Sequence, residues 1–267
     1  SKPDNNGQFA EYQRRQQQRH RRKRKSSIGN QNGSNHEATH PAGTQNGGAS
    51  NQQQVHGSIH NLSTVEKLNA KQSQALDMAI RQGKNIFITG SAGTGKSVLL
   101  KHIMASLEKK YENQRDRWAI TASTGVSAVA LGGETLHSFA GCGVPSLVRD
   151  FGACFKDSSR WRWLNVEVLL IDEVSMLAGE FLDHLSDVVK EIRHDNRPFG
   201  GVQLVFCGDF LQLPPIERKR NGDGSSIQGM MQQGVKLEDM HCNRGYAFQS
   251  KVWRDANLEI VVLDEVF

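Results

Sequence analysis

Between positions 86 and 207 the apolar residues come in four short, dense runs, each leading into a turn or a stretch of helical spacing. Ile86-Phe87-Ile88 passes through a glycine-rich turn to Leu99, Leu100, Ile103 and Leu107. Trp118-Ala119-Ile120-Thr121 precedes a helical pattern over 126–131, and Val168-Leu169-Leu170-Ile171 precedes Phe181, Leu185, Val188 and Ile192. Gln203-Leu204-Val205-Phe206-Cys207 is the fourth run. Runs without polar alternation predict strands buried on both faces, and the 3.6-residue spacing between them predicts helices. Upstream, Leu68, Leu76, Ala79 and Ile80 share a looser helical spacing. The fold class that follows is α/β, a parallel sheet sandwiched by helices. The charged, glycine-containing stretch 217–236 reads as a mobile loop insertion.

Composition changes the picture at one end. Residues 1–60 contain 24 Gln, Asn or Gly, no Leu, one Val and two Ile. Such a segment cannot bury enough apolar surface to offset its ordering entropy, so disorder is expected there, with the folded domain over 61–267. The tail also holds nine Lys/Arg against three Asp/Glu, whereas 61–267 holds 24 against 25, so the basic balance of this 267-residue chain belongs to the tail. Its densest run, Arg19-His20-Arg21-Arg22-Lys23-Arg24-Lys25, suits a nuclear-import signal, a mitochondrial presequence or a phosphate-binding arm. No run approaches 18 apolar residues, which argues against a membrane partner. Four cysteines lie far apart with no C-x-x-C pair, so neither a disulfide framework nor a zinc knuckle is expected.

Chemistry concentrates at the ends of the predicted strands. Gly90-Ser91-Ala92-Gly93-Thr94-Gly95-Lys96-Ser97 fits G-x-x-x-x-G-K-[ST] between a strand and a helix, the context of a phosphate loop. Its glycines let backbone N–H groups turn toward phosphates, and the helix N-terminus adds its dipole. Lys96 would reach the β- and γ-phosphates of ATP, and Ser97 would ligate Mg²⁺. Asp172-Glu173 ends the third strand. There Asp172 would hold Mg²⁺ and Glu173 would orient or deprotonate the attacking water. Gly208-Asp209-Phe210-Leu211-Gln212-Leu213-Pro214-Pro215 follows the fourth strand, placing Gln212 to sense the γ-phosphate.

In this order, GSAGTGKS, then TASTGVSAVALGGETLHSFAG over 121–141, LLIDEVSML over 169–177 and GGVQLVFCGDFLQLPP over 200–215 resemble superfamily 1 DNA helicases. Specifically they resemble the petite-integration-frequency (PIF-type) family, whose signature segment the stretch 181–201 is similar to. The resemblance spans about residues 66–267 and implies a first RecA-like domain of an ATP-driven 5′-to-3′ helicase on single-stranded DNA and DNA forks. It further implies that Gln72 contacts adenine, and that Thr124, Gly125, Ser127, Thr135, His137 and Phe139 meet nucleic acid. Hydroxyls and backbone N–H groups suit phosphates, and His and Phe can stack on bases; a packed histidine is the plain alternative for His137. Trp161 and Trp163 read as packing residues.

The resemblance places a second RecA-like domain, with arginines that meet the γ-phosphate, beyond 261–267. A substitute arginine in cis is the competing arrangement, supplied for instance by the 218–220 loop. A RecD-like exonuclease-associated helicase and a nucleotide-switched nucleic-acid-binding module remain as alternatives. A monomer is expected, in the nucleus or alternatively the mitochondrion.

Overall fold

The computed structural model describes residues 67–219, 222 and 224–266. The tail and its basic run lie outside the described residues. Six strands form one parallel sheet: β1 Ile86–Gly90, β2 Trp118–Ala122, β3 Glu134–Thr135, β4 Val168–Asp172, β5 Gln203–Cys207 and β6 Glu259–Leu263, in the order β3-β2-β4-β5-β1-β6. The main helices are α1 Ala70–Ile80, α2 Lys96–Lys110, α3 Gly125–Ala130, α4 Leu136–Ala140, α5 Asp157–Asn165, α6 Gly179–Arg193, α7 Ile227–Gln232 and α8 Lys251–Asp255.

The unbroken apolar runs are explained by two cores. Successive side chains of a strand point to opposite faces. Phe87, Leu169, Ile171, Leu204 and Phe206 therefore pack on one side with Trp163 of α5, Phe181, Leu185, Val188 and Ile192 of α6, and Val252 of α8. Ile86, Ile88, Val168, Leu170, Val205 and Cys207 pack on the other with Ala75 and Ala79 of α1 and Leu99, Leu100, Ile103 and Leu107 of α2. Strands covered on both faces have no place for a polar alternate.

The edges escaped the pattern. β6 alternates exposed Ile260 and Val262 with buried Val261 and Leu263, and pairs with β1 from Ile86↔Glu259 to Gly90↔Leu263. β3 is two residues long, paired with the end of β2. An edge strand is half wet and a two-residue strand has no period, so neither carries the dense-run signal. The stretch 217–236 is also corrected: it is not a plain loop. α7 begins there under a Ser226 cap, Met230 packs with Met240 and Cys242, and Arg218 is tied down by the carbonyls of His241 and Ser225.

The sheet order matters for chemistry. β5 inserts between β1 and β4, so the carboxyl ends of all three open on one rim, where ligands bind in open parallel sheets.

Candidate active site

At the end of β1 the chain passes so close to β6 that a Cβ on Gly90 would collide with the Leu263 carbonyl. Glycine is therefore required where the loop leaves the sheet. Thr94 is buried and its hydroxyl donates to the Ser91 carbonyl at 2.8 Å, closing the loop on itself. Gly95 caps α2 with no side chain, leaving the first-turn N–H groups of the helix aimed into the cleft as an anion site. Lys96 Nζ donates to the carbonyls of Gly90 at 2.5 Å and Ser91 at 3.0 Å, which holds the ammonium over the loop.

The acidic side comes from β4. Asp172 is its last residue, and Glu173 turns out of the strand at φ 52°, a left-handed conformation uncommon for a residue with a side chain. That turn carries the Glu173 carboxyl into the cleft with Lys96. Burial, with the Asp172 and Asp209 charges beside it, raises Glu173 above the ordinary carboxylate value against the pull of Lys96. Burial also pushes the Cys207 thiol up, with the Asp172 carboxylate next to it. From β5, Asp209 accepts from the Leu211 N–H and from Gln212 Nε2, both at 3.0 Å, so the Gln212 amide is aimed by its neighbour. The Leu211 N–H in turn lowers Asp209. Asp209 is a positioning residue the sequence reading passed over, although it stands in the same strand-end segment.

One cleft of about 820 Å³ gathers Gln72, Ala92, Gly93, Gly95, Lys96, Ser97, Glu173 and Gln212. Gln72 arrives from α1 with its amide engaged: Oε1 accepts from the Asn69 N–H at 2.9 Å and Nε2 donates to the Gly95 carbonyl at 3.3 Å. It thus braces the phosphate loop against α1, with one amide hydrogen left over.

A family model described as PIF1-like helicase matches residues 67–236. The chain belongs to the PIF1-like helicase family. It is 40% identical over 229 residues to the ATP-dependent DNA helicase PIF1 of Candida albicans, covering 79% of this chain and 23% of that protein. The crystal structure of Pif1 helicase from Candida albicans superposes with a TM-score of 0.61 at 40% identity, over 76% of this chain and 41% of that one. A Pif1 helicase from Bacteroides, solved in complex with ADP-AlF3 and ssDNA, superposes with a TM-score of 0.57 at 25% identity, over 76% and 43% of the two chains. The chain spans about a quarter of the length of the curated PIF1 relatives it matches.

The second group of family positions divides. Thr124 caps α3, its Oγ1 accepting from the Ser127 N–H at 3.3 Å and donating to Ser127 Oγ at 3.0 Å. Thr135 caps α4 by accepting from the Ser138 N–H at 3.2 Å. Gly125 is exposed beside Val126, and His137 is half-buried with its ring stacked on Phe181 at 4.3 Å. Phe139 lies deeper than the others. Only 6% exposed, it packs edge-on against Trp163 at 5.0 Å, under the Arg162 guanidinium, and cannot reach a base without opening the core. The two tryptophans also part ways, Trp163 fully buried and Trp161 exposed.

The segment 181–201 is held in place by a side chain that the sequence reading did not single out. Arg193, at the end of α6, donates to the carbonyls of Trp163, Leu164, Val166 and Gly200. Gly200 sits at φ 61° against the Arg193 stem, where a Cβ would strike the side chain. Arg218 is occupied elsewhere, reaching Ser146 Oγ at 3.0 Å, and no arginine lines the cleft among the described residues.

Proposed function

We propose that residues 61–267 are the first RecA-like, ATP-binding domain of an ATP-dependent DNA helicase. The observation that carries this reading is the facing of Lys96 and Glu173 across one cleft, with Gln212 reaching it from the strand inserted between them. The polyphosphate of ATP would lie on the bare N-terminus of α2, and Lys96 would exchange the Gly90 and Ser91 carbonyls for phosphate oxygens. Glu173, raised by burial, is suited to take a proton from water near neutral pH. Gln212, hinged on Asp209, would report whether the terminal phosphate is present.

The residues fit Mg²⁺. The Ser97 hydroxyl and Asp172 carboxylate are hard oxygen donors, and the carboxylates crowded around Glu173 are charge that a divalent cation offsets. Ser97 and Asp172 would hold the ion, which would neutralise charge on the phosphates.

The relatives are named as ATP-dependent DNA helicases, and one solved relative carries single-stranded DNA. On that basis, and with another solved relative described at forked DNA, the substrate proposed here is single-stranded DNA and forks; the 5′-to-3′ direction is what the family resemblance implies. The contacts would come from the exposed Gly125 end of α3, from Thr124 and Ser127, and from Thr135 and His137. The working unit is read as a monomer, and the basic run 19–25 supports a nuclear address, with the mitochondrion as the alternative.

DNA-stimulated ATP hydrolysis, compared between wild type and Glu173→Gln, tests the reading. Nucleotide binding without turnover in Glu173→Gln is expected. A chain that binds nucleotide and DNA but shows no DNA-stimulated hydrolysis, even joined to the remaining length of a relative, would instead mark a nucleotide-switched binding module.

A further inference from the structure

Away from the cleft, α6 and the segment after α7 bring together three side chains that phosphoryl transfer does not use. Glu180 and His184 stand four residues apart on α6 and so share a face. Glu180 Oε1 lies 3.9 Å from His184 Nε2. His241 comes from the other segment, with its ring centroid 5.6 Å from that of His184. One ligand atom from each of the three lies within 4.8 Å of the others.

His241 supplies the second, independent observation. Its side chain is 98% buried by its 2% exposure, yet Nδ1 has no hydrogen-bond partner among the described residues. Buried polar atoms are rarely left so, and a buried imidazole with an unpartnered nitrogen, packed with a carboxylate and a second imidazole, has the donor chemistry of a metal ligand. Glu180 is already oriented for the task. Its Oε2 accepts from the backbone N–H groups of Cys242 at 3.1 Å and Arg244 at 2.9 Å, leaving Oε1 to turn toward the histidines.

We infer that Glu180, His184 and His241 form a binding site for a divalent transition-metal ion of the zinc type. Two imidazoles and one carboxylate suit Zn²⁺ and its neighbours, whereas Mg²⁺ and Ca²⁺ prefer all-oxygen sets. A tetrahedral zinc site needs ligand atoms about 3.3 Å apart, so the three, now within 4.8 Å of one another, must close by up to about 1.5 Å. His184, whose side chain is 30% exposed and packs on the Phe151 ring at 5.3 Å, is the ligand that would have to rotate. A cavity of about 490 Å³ reaches the cluster at His241, bordered also by Glu217 and Asn243, while Glu180 and His184 lie outside its lining. Arg218 and Lys219 also border that cavity and oppose a cation, though the Arg218 guanidinium is engaged by the His241 and Ser225 carbonyls and Ser146 Oγ. The ion would cross-link α6 to the segment 240–246, directly behind the Phe181 ring on which His137 stacks.

The test uses the untagged 267-residue chain, stripped of metal by chelator and titrated with Zn²⁺ alone at pH 7.5. One equivalent should bind with a Kd at or below the micromolar range. A hundredfold excess over Kd should raise the melting temperature by roughly 5–10 °C. Co²⁺ should give the intense visible absorption of a tetrahedral centre. The chain has ten histidines, so variants must identify the site. His184→Gln and Glu180→Gln should each weaken Zn²⁺ binding at least a hundredfold and abolish the Co²⁺ spectrum. Glu180→Gln keeps an acceptor for the two N–H groups, and metal-free melting of both variants within a few degrees of wild type shows that the fold is intact. If one variant melts lower, the other decides alone. Should both melt lower, His184→Asn at the half-exposed position decides by its Co²⁺ spectrum. Wild-type binding weaker than about 0.1 mM, or equal zinc affinity in wild type and the folded variants, overturns the site.

Discussion

Replacing Arg193 with methionine tests the signature segment as a structural lock. Arg193 makes four donations, of which those to Trp163 at 2.6 Å, Val166 at 3.0 Å and Gly200 at 2.8 Å lie in partly buried surroundings, while the one to Leu164 is exposed. Methionine keeps much of the stem that packs on Gly200 and removes every donor. Three partly buried hydrogen bonds at about 1–1.5 kcal/mol each come to about 3–4.5 kcal/mol, and the exposed one adds little. For a domain of this size each kcal/mol moves the melting point by roughly 2–4 °C, so a fall of about 10 °C is expected. Lysine keeps the charge but not the planar fork, and should restore about one bond's share. Urea denaturation followed by far-UV circular dichroism measures the loss. ATP-analogue affinity of the folded variant should stay within about twofold of wild type, because no residue of 193–201 lines the cleft among the described residues. A loss below about 1 kcal/mol, or a large loss of nucleotide affinity from a fully folded variant, would refute the reasoning.

Other outcomes follow from the same geometry. Lys96→Ala should weaken nucleotide binding by removing a charge-assisted phosphate contact, and Glu173→Gln should bind normally and turn over at least a hundredfold more slowly, both read by analogue titration and single-turnover hydrolysis. With no arginine at the cleft among the described residues, the 267-residue chain by itself should hydrolyse ATP hundreds of times more slowly than an intact PIF1 relative, and turnover within tenfold would contradict this. Phe139→Ala should destabilise by about 3–5 kcal/mol while leaving single-stranded DNA affinity of the folded protein within twofold, the reverse of what a base-stacking residue would show. Burial lowers His137 from its ordinary 6.5, so the unfolded chain takes up a proton there before the folded one does. Stability is complete above about pH 6.5 and falls as pH drops below it, and His137→Asn should lose less stability than wild type between pH 7 and 5 in urea titrations. Deleting 1–60 should leave nucleotide affinity unchanged and reduce only salt-sensitive DNA binding.

The central strands, the phosphate loop and the acidic pair were legible in the sequence because each depends on neighbours in the chain. Val168-Leu169-Leu170-Ile171 can be satisfied only inside a two-faced core, and the spacing of Gly90, Gly95, Lys96 and Ser97 is readable within one short stretch of chain. Contacts between distant segments were not legible. β6 exists because β1 offers it an edge, and Gly90 is required because Leu263, more than 170 positions away, presses on it. Phe139 has the composition of a stacking residue and the position of a core residue, and only Trp163 closing over it distinguishes the two. Arg193 reads as one more charge on an amphipathic helix until the fold brings four carbonyls to it. His241 shows no sequence spacing to Glu180 and His184; the return of the chain after α7 against α6 places its imidazole, with an unpartnered Nδ1, beside them. Local chemistry follows the order of residues, whereas the environment that turns a side chain into a strut, a cap or a ligand is set by segments that meet only after folding.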